Sequence, residues 1–187
     1  MSNTQREYIV DFISGEKVLS TPEEIEAVQV FSKQLVEDYN YPKSHIQTRP
    51  QFRVRIRPSD IKKEYPVDIA VFTNENKKED DILLIVECKK KNRKDGEEQL
   101  KDYLRFSRAF LGVWFNGSER IFLRKYESQN GIIEFERIPN IPKFGQKIDD
   151  IGKFKRKDLK PTHNLKSTFK AIRNYLAGNT IGATRDE

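Results

Sequence analysis

The chain has a single cysteine, Cys88, and only two histidines, His45 and His163, among 187 residues. One thiol excludes an internal disulfide and any zinc site built from several cysteines. The two histidines are far apart with no ligand pattern around them, and they read as surface residues. No apolar run approaches the ~18 residues that a membrane span requires. The N-terminus, Met1-Ser2-Asn3-Thr4-Gln5, lacks the basic-then-apolar order of a signal peptide. A reducing, cytoplasmic setting is the expectation. Glycine-rich phosphate loops, internal repeats and low-complexity tracts are all missing, which argues against nucleotide binding by a P-loop and against repeat architectures.

What is present is charge. Charged residues make up 34% of the chain and hydrophobic ones 36%, with a net charge of +6 and a pI of about 9.3. The apolar residues nevertheless cluster in periodic blocks, the mark of a folded domain rather than of disorder. The basic balance favours a polyanionic partner. One domain over residues 21–160 is expected, preceded by an extension (1–20). Residues 161–187 read as an amphipathic helix, through Leu165, Phe169, Ile172, Tyr175 and Leu176, then the start of a linker towards a further region.

Local patterns order the elements. Thr21-Pro22-Glu23-Glu24 reads as a helix start, with Thr21 as N-cap and Glu24 closing a capping box. That helix continues along a face of Ile25, Val28, Phe31, Leu35 and Val36 to the Tyr39–Pro42 region. Alternation from Phe52 marks a half-exposed strand carrying Arg53, Arg55 and Arg57. Val67–Phe72 and Ile82–Val86 are strand candidates, and the short polar loop between them makes them antiparallel neighbours. A helix over roughly 96–110 leads to Leu111–Phe115, an Asn116-Gly117 turn and Arg120–Arg124, a hairpin signal. Strand, helix, strand over 82–115 predicts a crossover with parallel strands. Ile132–Glu136 is a further strand candidate. The fold class is α/β, a mixed central sheet flanked by helices.

The informative constellation is Asp68 followed, nineteen residues on, by Glu87-Cys88-Lys89. Side chains alternate along a strand, so Glu87 and Lys89 share one face and Cys88, a small buried core residue, takes the other. If the two strands are neighbours, two carboxylates and an ammonium meet. A divalent cation relieves the repulsion between such carboxylates, and a neighbouring lysine can orient or deprotonate a water. That is the minimal equipment for metal-assisted phosphodiester hydrolysis. The plainer reading, a Glu-x-Lys ion pair at a strand end, also fits the residues taken singly.

In this order the blocks resemble the PD-(D/E)xK nuclease superfamily, with Pro66-Val67-Asp68 beside the name-giving Pro-Asp. The closer resemblance is to the N-terminal nuclease domain of type I restriction enzyme R subunits and related restriction-modification proteins. Gln99 and Tyr103 match a Gln-x-x-x-Tyr element. Gly112-Val113-Trp114-Phe115-Asn116-Gly117 resembles a Gly-Val-x-Thr-Asn-Gly strand and turn with Phe115 for threonine. Glu24 stands where the family has a first-helix acid before a Gly-Tyr dipeptide, here Asn40-Tyr41.

The resemblance implies a restriction-endonuclease-like fold and an Mg²⁺-dependent endonuclease, with Mn²⁺ as substitute, acting on double-stranded DNA. It implies that Asp68, Glu87 and the main-chain carbonyl of Cys88 hold the metal and that Lys89 serves the attacking water. Glu24 would hold a metal-bound water, with Glu23 and Glu26 as competing candidates. Gln99 and Tyr103 would contact the DNA backbone or brace Lys89. Lys90, Lys91 and Arg93, with Arg53, Arg55, Arg57, Lys62 and Lys63, are candidate walls of a phosphate-tracking groove. No helix-turn-helix or zinc-finger pattern offers base readout, so specificity is expected from other subunits (methylase, specificity, motor). Two rivals stay open: a non-catalytic, nuclease-like module for DNA binding or subunit docking, and a nuclease for RNA or branched DNA.

Overall fold

A computed structural model describes residues 6–55 and 64–151, all within the first of two compact units, Met1–Gly152. The expected helix of 165–176, His163, Arg57, Lys62 and Lys63 lie outside the described residues. The chain opens with a small hairpin, β1 (Tyr8–Val10) and β2 (Lys17–Leu19). Thr21 then accepts a hydrogen bond from the Glu24 amide at 3.1 Å, as an N-cap residue does. The helix it starts is π-helical over Glu24–Val28 and becomes α1 over Gln29–Glu37.

This widened turn corrects the expected face. Ile25 is 46% exposed, whereas Ala27, Val28, Phe31 and Leu35 are buried. A π turn holds more residues than the 3.6 of an α-helix, so the period assumed before it no longer applies. Past α1, Asn40 has φ +61°, a left-handed conformation that glycine adopts freely and asparagine tolerates. An asparagine in place of the family glycine is therefore conformationally equivalent there.

The central sheet has six strands in the order β10-β9-β8-β7-β6-β3. They are β3 (Ile46–Gln47), β6 (Ile69–Phe72), β7 (Ile82–Cys88), β8 (Leu111–Phe115), β9 (Arg120–Glu127) and β10 (Ile133–Ile138). A separate short ladder pairs β4 (Arg53–Val54) with β5 (Tyr65–Pro66). β6 and β7 are antiparallel, β7 and β8 parallel and β8 and β9 antiparallel around the Asn116-Gly117 turn, all as the patterns predict. The helix between β7 and β8, α2, is shorter than expected, spanning Glu97–Arg105. Lys125 donates to the carbonyls of Leu104 and Ser107 at 2.6 and 2.7 Å and so closes its C-terminal end.

Alternation along the strands divides the core in two. Ile69, Val71, Leu84, Val86 and Cys88 pack with Phe31 and Leu35 of α1. Ala70, Phe72, Ile85 and Trp114 pack with Leu100, Tyr103 and Leu104 of α2. The sheet thus carries a helix on each face, a mixed α/β, restriction-endonuclease-like fold. Each fully buried Leu, Ile or Phe side chain contributes ~1.5–3 kcal/mol through apolar surface removed from water. His45 is half-buried rather than on the surface, its ring edge-on to Phe144 at 5.1 Å.

Candidate active site

The register decides what meets at the end of the sheet. Ile69 lies opposite Val86, so one step further Asp68 lies opposite Glu87. Both belong to the strand positions that face α2. Asp68 is not inside the strand, as the pattern suggested, but in the bend just before β6. There its Oδ2 accepts the Cys88 amide at 2.7 Å. Glu87 is 2% exposed and forms an ion pair with Lys89, two residues along the same face. Asp68, Glu87 and Lys89 are therefore one cluster.

Burial and neighbouring acids leave their mark on this pair. Asp68 is pushed up to about 6, chiefly by burial, against the Cys88 hydrogen bond, with the charge of Glu23 adding to the rise. Glu87 is pushed up to about 7 by burial and by the Asp68 charge. Burial opposes the charge on Lys89, but its hydrogen bond to Glu87 and the acidic surroundings outweigh this and raise it. Lys89 is thus an ammonium at neutral pH, suited to orienting a water or offsetting charge rather than to taking a proton. Cys88 is free and buried, and burial raises its thiol well above the usual range. It is inert core, and only its main chain is at the site.

Three elements hold the cluster. From α2, Gln99 Oε1 lies 3.4 Å from Lys89 Nζ, while Gln99 Nε2 donates to the Tyr103 hydroxyl at 2.6 Å. That hydroxyl donates to the Pro66 carbonyl at 3.2 Å. Gln99 and Tyr103, one turn apart, link Lys89 to the backbone just ahead of Asp68. Burial pushes the Tyr103 phenol up to about 12, so it stays a donor. The loop before α2 is clamped by Trp114, whose indole donates to the Asp95 carbonyl at 2.8 Å, and by Asn116, whose amide donates to the Arg93 carbonyl at 3.0 Å. Clamping brings Gly96 (φ +105°) so close that a Cβ there would stand 2.6 Å from Cε of Lys89. Only glycine satisfies both constraints.

The third element is the first helix. Glu24 is buried, with both oxygens engaged: Oε1 accepts Gln29 Nε2 and Oε2 accepts Arg49, each at 2.8 Å. Glu23 has no ion-pair partner among the described residues, and its charge raises both Asp68 and Glu87. The charges of Glu23 and Glu24 both reach Cys88 as well, so the first helix contributes acidity to this end of the sheet. Gln29 also donates to Asp11 Oδ2 at 2.8 Å, and Thr48 donates to Asp11 Oδ1 at 2.6 Å. The hairpin of residues 8–19 is tied to the helix in this way. Neither Asp11 nor Arg49 stood out in the sequence, because both act through contacts that only the folded register creates.

Lys90 and Lys91 are exposed where the chain leaves β7. Arg93 is paired with Asp95, so it offers less free charge than its place in the basic run suggests. Arg55 is paired with Glu64 at 3.0 Å on the separate β4–β5 ladder. Among the described residues no three His, Cys, Asp or Glu side chains form a ready-made metal cage. The donors on offer are two carboxylates and main-chain oxygen. Such a hard, incomplete oxygen set suits a cation that retains waters or shares a phosphate.

Residues 22–142 match the family model described as Type I restriction enzyme R protein N terminus (HSDR_N). No curated protein and no solved structure matches the chain. The matched span includes the first helix, all six strands of the central sheet and α2, and leaves out the β1–β2 hairpin. With the whole Asp68, Glu87, Lys89 cluster inside a match that covers well over half its length, the chain belongs to the family of type I restriction enzyme R-protein N-terminal domains.

Proposed function

We propose that this domain is a Mg²⁺-dependent DNA endonuclease that hydrolyses phosphodiester bonds of double-stranded DNA without sequence preference of its own. The observation that supports it most is the convergence of Asp68, Glu87 and Lys89 from two adjacent strand ends. Two carboxylates side by side, both raised by burial and Glu87 also by the Asp68 charge, are an unfavourable arrangement for an unliganded protein. A divalent cation turns it into a favourable one. Asp68, Glu87 and the Cys88 carbonyl would hold the ion, with water and a phosphate oxygen completing its shell. When bound, it supplies Lewis-acid polarisation of the phosphate and a more acidic water.

The chain's own residues do the rest. Lys89, held by Glu87 and Gln99 as an ammonium, orients the attacking water and offsets charge on the phosphate. Gln99 and Tyr103 fix the reach of that lysine, and Lys90 and Lys91 meet the DNA backbone beside it. Sequence choice and translocation would come from other subunits or domains of a restriction-modification complex.

Replacement of Glu87 or Lys89 by alanine is expected to abolish Mg²⁺-dependent nicking of plasmid DNA with an unchanged circular dichroism spectrum. Cleavage retained by both variants overturns the proposal. Calorimetric Mn²⁺ titration gives a test that needs no turnover: wild type binds, and Asp68→Asn does not. Equal binding by the two has the same overturning force.

A further inference from the structure

Continuing the antiparallel register of β3 and β6 past its last pair, Gln47 with Ala70, sets Thr48 against Ile69 and Arg49 against Asp68. Arg49 and Asp68, each in the bend just beyond its strand, and Glu87 near the end of β7 therefore line up at the same end of three neighbouring strands. From this row we propose that Arg49 is a phosphate ligand of the site, with Glu24 as its anchor; the assignment rests on the nuclease reading above.

The contacts of Arg49 suit that role. One terminal nitrogen is bound by Glu24 at 2.8 Å and the other donates to the Thr48 carbonyl at 2.7 Å. These two bonds fix the plane of the guanidinium while leaving most of its five N–H donors for another acceptor. The side chain is 21% exposed, so it is not sealed off from solvent. Glu24 is itself immobilised by Gln29, whose amide sits between it and Asp11. The line from Asp11 through Gln29 and Glu24 ends on a single oriented cation.

A purely structural account is weaker on physical grounds. A fixed cation at the same end of the sheet as metal-binding carboxylates weakens their hold on a metal. That cost is offset when an anion arrives with the metal. A guanidinium meets phosphate oxygens two at a time, and Lys89 offers a second cation across the row. The oligoanion is gripped from the Arg49 side and the Lys89 side, with the acid pair between them.

The experiment measures the affinity of the full chain for a short fluorescent duplex across a salt series, in parallel with Mn²⁺ titration. Neutralising one phosphate contact by Arg49→Gln is expected to weaken binding about tenfold and to lower the slope of log K against log salt by ~0.9. Arg49→Lys keeps the charge and is expected to keep the slope while losing affinity. Glu24→Gln keeps the cation but loses its anchor, so affinity falls with the slope retained. Mn²⁺ affinity in Arg49→Gln is expected to hold or tighten. An unchanged slope in Arg49→Gln, with wild-type binding intact, overturns the Arg49 assignment alone. Loss of Mn²⁺ binding in Arg49→Gln also counts against it. Salt-dependent DNA binding that responds to Arg49 but no Mn²⁺ binding by wild type overturns the nuclease reading instead. No DNA binding by wild type overturns both. Should Arg49→Gln fail to fold, the retained slope and reduced affinity of Arg49→Lys carry the test, and wild-type affinity in that variant sinks the assignment.

Discussion

Two pairs of carboxylates are withdrawn from water in this domain, and the fold treats them in opposite ways. Asp11 and Glu24 are bridged by the Gln29 amide, and Asp11 also accepts hydrogen bonds from the amides of Ile13 and Ser14 and the hydroxyls of Ser14 and Thr48. Although burial works to raise it, these donors leave the Asp11 carboxyl below its ordinary value. Asp68 and Glu87 have one backbone amide and one ammonium between them, and both end up raised. The first pair is complete as it stands. The second is left uncompensated, and on the proposed function a divalent cation would complete it.

Substitution of the complete pair has the largest expected effect on stability. Asp11→Ala strands five donors in a site only 1% exposed, and should cost ~3 kcal/mol, or ~10 °C in thermal melting. Asp11→Asn is expected to recover much of the loss, because its oxygen in the Oδ1 place keeps the Ile13, Ser14 and Thr48 donors and only Gln29 then faces the Asn amide nitrogen. A melting curve unchanged by Asp11→Ala would erase the distinction between the pairs.

The incomplete pair should respond in the opposite sense. The raised native value of Asp68, about 6 against an unfolded 3.8, means that the native state binds the extra proton. Its contribution to stability is full below pH ~4 and lost as the pH rises through ~6. The metal-free protein is therefore expected to melt lower at pH 8 than at pH 5.5. Asp68→Asn keeps an acceptor for the Cys88 amide and removes the charge. It should raise stability at pH 8 by ~1–2 kcal/mol and flatten the pH dependence. Mn²⁺ at pH 8 should stabilise wild type and leave the variant unmoved.

A pair of glycines sharpens the comparison further. Gly96 and Gly131 both have positive φ, +105° and +73°, but a Cβ on Gly96 meets Lys89 at 2.6 Å while one on Gly131 has its nearest neighbour at 3.7 Å. Alanine at either position should cost ~1 kcal/mol in backbone strain. Only Gly96→Ala is expected to displace the lysine and depress nicking, by tenfold or more in plasmid assays. Equal activity of the two variants would mean that Lys89 is not positioned by the loop. The smallest expected effect is that of Lys125→Met, which removes the cap of α2 and should lower stability by ~1 kcal/mol in denaturant titration. Gln99 and Tyr103 lie earlier in that helix, so nicking should change little.

Much of this architecture could be read from local patterns. The β6–β7 hairpin, the parallel β7–β8 pair and the Asn116-Gly117 turn follow from loop lengths and strand periodicity, which act within a few residues. The convergence of Asp68 with Glu87 and Lys89 followed from that pairing plus alternation. What escaped has a different origin. The β1–β2 strands are three residues each, too short to show a period. Ile25 was placed on the buried face because a 3.6 period was carried through a turn that is π-helical. The helix after Gly96 was overextended because its end depends on Lys125 reaching across from β9.

Order along the chain thus determined which strands pair, which way they run, and that two acids and a lysine finish on one edge. These are properties of neighbours and of two-residue alternation. The folded register alone decided that Glu24 faces Arg49, that Gln29 stands between two carboxylates, and that Gly96 lies against Lys89. These contacts join residues five to twenty-five positions apart through side chains, and no strand or helix period encodes such partners.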